Sequence, residues 1–95
     1  LRIRLDTVSR EASAEGTPVH LTRTEFAILK LLLASPGQAV SKAAILDRIG
    51  QDTPDCTDAS LKQHVSNLRK KLREAGGREY IQAVWGIGFR LAAEP

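Results

Sequence analysis

Lys62, Gln63, His64, Ser66, Asn67, Lys70, Lys71 and Arg73 fall within one short stretch of the chain. Ammonium and guanidinium groups bind phosphates, while amides and hydroxyls of this length offer paired donors and acceptors to the edges of planar bases. Such a mixture grips and reads a polyanion and makes no covalent bonds. The side chains that could do covalent or metal chemistry stand apart from one another. Cys56 has no second Cys and no nearby His, which argues against a thiol nucleophile, a disulfide framework and a multi-Cys zinc site. His20 and His64 are distant in sequence and lack a third ligand. Asp52 and Asp55 lie in a polar stretch and read as solvated. No enzyme, cofactor or metal ion is expected.

Periodicity decides how the cationic stretch is presented. On a helical wheel over residues 58–75, Leu61, Val65, Leu68 and Leu72 fall within about 60° of one another and define a core seam. The opposite half displays Ala59, Lys62, Gln63, Ser66, Asn67, Lys70, Arg73 and Glu74. Long cations there frame shorter polar groups, the pattern that suits a helix lying in the major groove of a duplex. Asn67 matches the donor and acceptor of adenine, whereas Lys70 and Arg73 read as phosphate anchors. His64 and Arg69 flank the seam, within reach of backbone phosphates. Residues 61–73 carry five cations and no acid, so the net charge of +3 leaves the remainder of the chain at −2. That asymmetry favours a polyanionic partner.

The flanking pattern builds a frame for this helix. Leu1, Ile3 and Leu5 alternate with Arg2 and Arg4, a strand signal; Asp6-Thr7 and Glu15-Gly16 turn the chain into a second strand over 8–14 and a third around Val19 and Leu21. Thr22-Arg23-Thr24-Glu25 is a capping box opening a first helix, which Ser35-Pro36-Gly37 stops. Ser41 caps a shorter second helix, residues 50–57 form a loop, and Thr57 or Asp58 caps the third. Gly76-Gly77 ends it. Residues 80–84 and 87–91 then form a closing hairpin about Trp85-Gly86. Gly86-Ile87-Gly88 lacks the third glycine and following helix of a nucleotide-binding loop, so it reads as a turn device. The indole of Trp85 is expected to pack on the domain, with contact to a nucleic-acid backbone as the alternative. The architecture is α+β: a winged helix-turn-helix with an N-terminal antiparallel β-meander, three helices and a C-terminal β-hairpin wing.

Four segments in order carry a family resemblance: Leu21-Thr22-Arg23-Thr24-Glu25-Phe26, Pro36-Gly37-Gln38-Ala39-Val40-Ser41, His64 to Leu72, and Tyr80 to Arg90. They resemble the C-terminal DNA-binding domain of OmpR/PhoB-type response regulators, over essentially the whole chain. The resemblance implies a recognition helix, Lys62 to Arg73, in the major groove of double-stranded DNA and a wing, with Trp85 and Gly86, near the minor groove or backbone. It implies a cytoplasmic bacterial transcription factor, an upstream receiver domain addressed by a sensor histidine kinase, and two copies head-to-tail on promoter direct repeats. The isolated domain is expected to be a monomer. Residues 50–57 resemble the transactivation loop that faces RNA polymerase in some members. The chain departs from the family pattern at four places: Asn67 replaces the usual Arg, Lys62 an acid, Ala59 a frequent Arg, and Gly50 the usual Trp.

At 95 residues the chain is expected to form one domain, 1–95. It holds no apolar run near the ~18 residues of a membrane span. It contains no Met, as expected of a piece of a longer protein or of a processed chain. Composition leaves open a winged helix that meets an acidic protein partner, or double-stranded RNA; the four-motif spacing favours DNA.

Overall fold

The computed structural model describes residues 3–50, 53, 54 and 56–92. Three strands, β1 (Ile3–Asp6), β2 (Glu11–Ala14) and β3 (Thr17–Val19), form an antiparallel meander with Leu5 opposite Ala12 and Ala12 opposite Val19. Alternation places Ile3, Ala12, Ala14 and Val19 on the buried face. Small residues on β2 allow a helix to lie close against this sheet. Leu1 and Arg2, the expected start of the first strand, lie outside the described residues.

The second strand is shorter than the expected 8–14. The Asp6 carboxylate accepts hydrogen bonds from the amides of Val8 (2.9 Å) and Ser9 (3.1 Å), and the Arg10 amide donates to the Asp6 carbonyl at 2.7 Å. This closes residues 7–10 into a turn, leaves Val8 93% exposed and puts Arg10 at φ +60°. An Asp competing for its own downstream amides outweighed the β-propensity of Val8.

Helix α1 (Arg23–Leu33) starts from the expected capping box. The Glu25 amide donates to Thr22 Oγ1 at 3.1 Å, and the Thr22 amide donates to Glu25 Oε1 at 2.9 Å. Ile28, Leu29 and Leu32 are fully buried. Helix α2 (Lys42–Ile49) is capped by Ser41, whose Oγ accepts from the Ala44 amide at 3.0 Å. Helix α3 (Asp58–Gly76) is capped by Thr57 in a reciprocal pair with Ser60, so of the two expected caps Thr57 is used and Asp58 sits in the first turn, facing the positive end of the helix dipole. Gly77, at φ +78°, closes α3 in the left-handed conformation. The helix packs on α1, α2, β2 and β3.

The closing hairpin, β5 (Ile81–Val84) and β6 (Gly88–Leu91), has a third partner that periodicity does not reveal. A two-residue strand, β4 (Val40–Ser41), pairs antiparallel with β6, giving the order β4-β6-β5. Ser41 is thus paired to the wing and caps α2 at once. Gly88 lies opposite Ser41, and a Cβ on it would collide with the Val40 carbonyl oxygen. Among the described residues no helix is long and apolar enough to cross a membrane.

Gly88→Ala is therefore expected to push β4 off β6 and lower stability by about 1–3 kcal/mol, the usual cost of overpacking. Chemical denaturation of both proteins checks this.

Candidate nucleic-acid interface

Helix α3 has 19 residues and spans roughly 28 Å. Leu61, Val65, Leu68 and Leu72 are buried along its length, as the wheel requires. Turning these four inward forces Lys62, Gln63, Ser66, Asn67, Lys70 and Arg73 outward, and all six are exposed. Each buried seam residue is worth about 1.5–3 kcal/mol, so a rotation that hid the polar face would be strongly opposed. His64 is half-buried on the flank.

Two groups on the polar face are already engaged. Gln63 Nε2 donates to Asn67 Oδ1 at 2.9 Å, one helical turn away. The Asn67 carbonyl oxygen has a second lone pair, so this bond orients the amide while leaving acceptor capacity. Near the C-terminal end, Arg73 Nη1 donates to Glu79 Oε1 at 2.8 Å and Arg69 Nη2 to Glu79 Oε2 at 3.5 Å. The hydrogen bond from Arg73, aided by the nearby Arg69, holds the Glu79 carboxyl below its ordinary range. Glu79 escaped the sequence reading because it lies past the helix, in an irregular connection with no periodicity to betray its partners.

Lys71 stands apart from the expected DNA-facing set. Its ammonium lies 2.6 Å from Glu25 Oε1, and the Glu25 side chain is only 2% exposed. The same carboxylate that closes the α1 capping box therefore tethers α3. On the wheel Lys71 sits about 80° from the core seam, on the flank that turns to α1.

The wing corrects a second expectation. Trp85 does not pack on the domain: it is 98% exposed at the hairpin tip, beside Gly86 and the half-exposed Ile87. The Ile87 amide donates to the Val84 carbonyl at 3.0 Å, closing a turn in which Gly86 takes φ +77°. Such a turn has a third position that favours glycine, and it points the second side chain, Trp85, away from the sheet. On the strands behind it, Arg90 Nε donates to Gln82 Oε1 at 2.8 Å across the pair.

The remaining candidate chemistry is sparse. Cys56 is buried, and burial pushes its thiol pKa up, which disfavours the reactive thiolate. No cluster of three metal-ligating side chains occurs among the described residues. Asp52 and Asp55 lie outside the described residues.

Residues 16–91 match the family described as "Transcriptional regulatory protein, C terminal". The chain belongs to this family. It is a winged-helix DNA-binding domain of a transcriptional regulator, of the OmpR/PhoB response-regulator type. It is 36% identical over 94 residues, 98% of its length, to response regulator MprA of Mycolicibacterium vanbaalenii, and 35% identical over 85 residues, 88% of its length, to the transcriptional regulatory protein BaeR of Escherichia coli. The chain spans 40% and 35% of those two relatives. Among solved structures it is similar to the Klebsiella pneumoniae RstA DNA-binding domain in complex with the RstA box, with TM-score 0.78, 30% identity and coverage of 97% of this chain and 92% of that one. The AdeR DNA-binding domain in complex with an intercistronic region gives TM-score 0.84 at 26% identity, covering 99% and 96%.

Glu79 thus neutralises two guanidinium groups at the end of α3. Its depressed pKa means the pairing is present above the ordinary carboxylate range and is lost as pH falls through the lower, folded value. Glu79→Gln should release Arg73 and Arg69 at neutral pH. DNA affinity is expected to rise several-fold, and the slope of log affinity against log salt to steepen by about 1. Salt titrations of the two proteins on one duplex measure both.

Proposed function

We propose that this domain is the output module of a two-component response regulator and binds double-stranded DNA sequence-specifically, with α3 in the major groove and the Trp85–Gly86 tip against the minor groove or backbone. The observation that carries the reading is the face of α3: four buried apolar residues hold six exposed polar and cationic ones outward on a helix of groove-spanning length. Lys62, Lys70 and Arg73 anchor phosphates, with His64 at the flank; Gln63, Ser66 and Asn67 meet base edges. Lys71, held by Glu25, serves the domain and not the duplex.

The wider assignment rests on the family. A receiver domain upstream, its sensor histidine kinase, the use of residues 50–57 toward RNA polymerase, and a cytoplasmic location all belong to this proposal. Head-to-tail binding on direct repeats follows from the same family resemblance. Two copies on a direct repeat should protect sites with centres roughly 10 bp apart. Footprints on inverted half-sites would count against that arrangement.

Asn67 gives the sharpest test. Its amide, steadied by Gln63, complements adenine N6 and N7, where the family's usual Arg favours guanine. An A·T pair should be preferred at that position by about 1–3 kcal/mol. In a randomised-site selection, Asn67→Ala should flatten the preference and Asn67→Arg should shift it to G·C. Lys70→Ala, by contrast, should weaken all sequences alike and reduce the salt slope by roughly 1. Identical logos for the three proteins at residue 67 would show that Asn67 reads no base.

A further inference from the structure

A groove of about 370 Å³ opens between the β1–β2 turn, α1 and the end of α2, and no residue of α3 or of the wing lines it. Phe26, Ala27, Leu31, Ala34 and Ile49 supply the apolar part of its lining, with Phe26 itself buried. Its rim holds Arg10, Arg23, Lys30 and Arg48, and no carboxylate is among its lining residues. All four cations are exposed, and none takes part in an ion pair or a side-chain hydrogen bond among the described residues.

The sequence builds this arrangement in a definite way. Positions 23, 27 and 30 of α1 and its C-cap, 34, form one stripe, in which Ala27 and Ala34 leave depth between the flanking cations. Arg10 is carried to the rim by the turn that Asp6 closes, and the Asp6 carboxylate is occupied by the Val8 and Ser9 amides. Glu11 follows Arg10 directly but is not among the residues that line the groove. Cationic side chains keep long apolar stems, which extend the floor while their heads reach the rim.

We propose that this groove docks an acidic amphipathic segment of another protein, with an aliphatic or aromatic anchor on Ala27, Leu31 and Ala34 and carboxylates on Arg10, Arg23, Lys30 and Arg48. Charge complementarity names the partner's sign, and the apolar floor names its class. A nucleic-acid backbone has phosphates for the rim but nothing to cover the partly exposed Ala27, Leu31 and Ala34 between the cations. A small inorganic anion would leave that floor equally empty. Guanidinium groups match carboxylates bidentately, and the volume is within the range of pockets that hold specific ligands. This surface is separate from the DNA-facing one, so the domain can hold a duplex and a protein partner together.

The test uses fluorescence anisotropy with the 95-residue chain and a short labelled peptide in which leucines are flanked by aspartates and glutamates. Two variants are compared, the double replacements Arg23→Glu with Lys30→Glu and Arg23→Gln with Lys30→Gln; the second guards against loss of folding in the first. The proposal expects salt-sensitive peptide binding that falls about tenfold or more with charge reversal and less with neutralisation, while duplex affinity changes by less than about twofold. Replacing the peptide leucines by serine should also weaken binding several-fold, and amide shifts should map to Ala27, Lys30 and Leu31. Equal binding of the leucine and serine peptides would overturn it, as would unchanged binding by the charge-reversed protein. Duplex affinity that falls in step with peptide affinity would overturn it too, by making these cations a second phosphate contact.

Discussion

What α3 presents to a partner follows from which of its sides must be dry. Leu61, Val65, Leu68 and Leu72 recur at helical spacing and pack against α1, α2 and the meander. A helix turned by a single residue would expose part of this seam and drag an amide or ammonium inward without partners. The outward orientation of Asn67, between core neighbours Val65 and Leu68, is therefore a consequence of packing. The reciprocal Thr57–Ser60 cap and left-handed Gly77 then fix where the helix begins and ends. Specific chemistry on the exposed face is free to vary because the buried face carries the fold.

A second constraint ties that helix to its neighbour. Glu25 closes the start of α1 and receives the Lys71 ammonium from α3, so one nearly buried carboxylate serves a helix terminus and an interhelical contact. A buried carboxylate with neither partner would be costly. With both it fixes the relative position of two helices that otherwise meet through slippery aliphatic surfaces. Lys71 also shows that a cation counted in a basic run need not face the solvent side of that run.

Much of this was legible in the residues. Period-2 alternation marked β1, the Thr22-to-Glu25 box marked the start of α1, Ser41 and Thr57 marked the other caps, and the wheel separated the seam of α3 from its polar face. These are local signals, complete within a few residues. Local signals mislead where a side chain answers to something distant or to its own backbone. Val8 looked like strand until Asp6 took the next amides; Val40 and Ser41 were too short to show a period and became strand by pairing with β6. Trp85 was expected to pack because indoles usually do, but a glycine-requiring turn aims it outward. Glu79 gave no sign of its two arginines, since ten residues separate it from Arg69.

The double membership of Ser41 has a mechanical side. Because the same residue pairs with the wing and starts α2, the hairpin cannot swivel without unwinding the first turn of that helix. On the proposed binding mode the domain works like a pair of calipers with a locked joint, one jaw being α3 and the other the tip at Trp85. Calipers of fixed opening gauge the object between them. A duplex whose local twist or groove width brings the two contact lines to that opening is held without distortion, and one that does not must bend or unwind to fit. On that binding mode part of the discrimination is by shape, measured across base pairs that neither jaw touches.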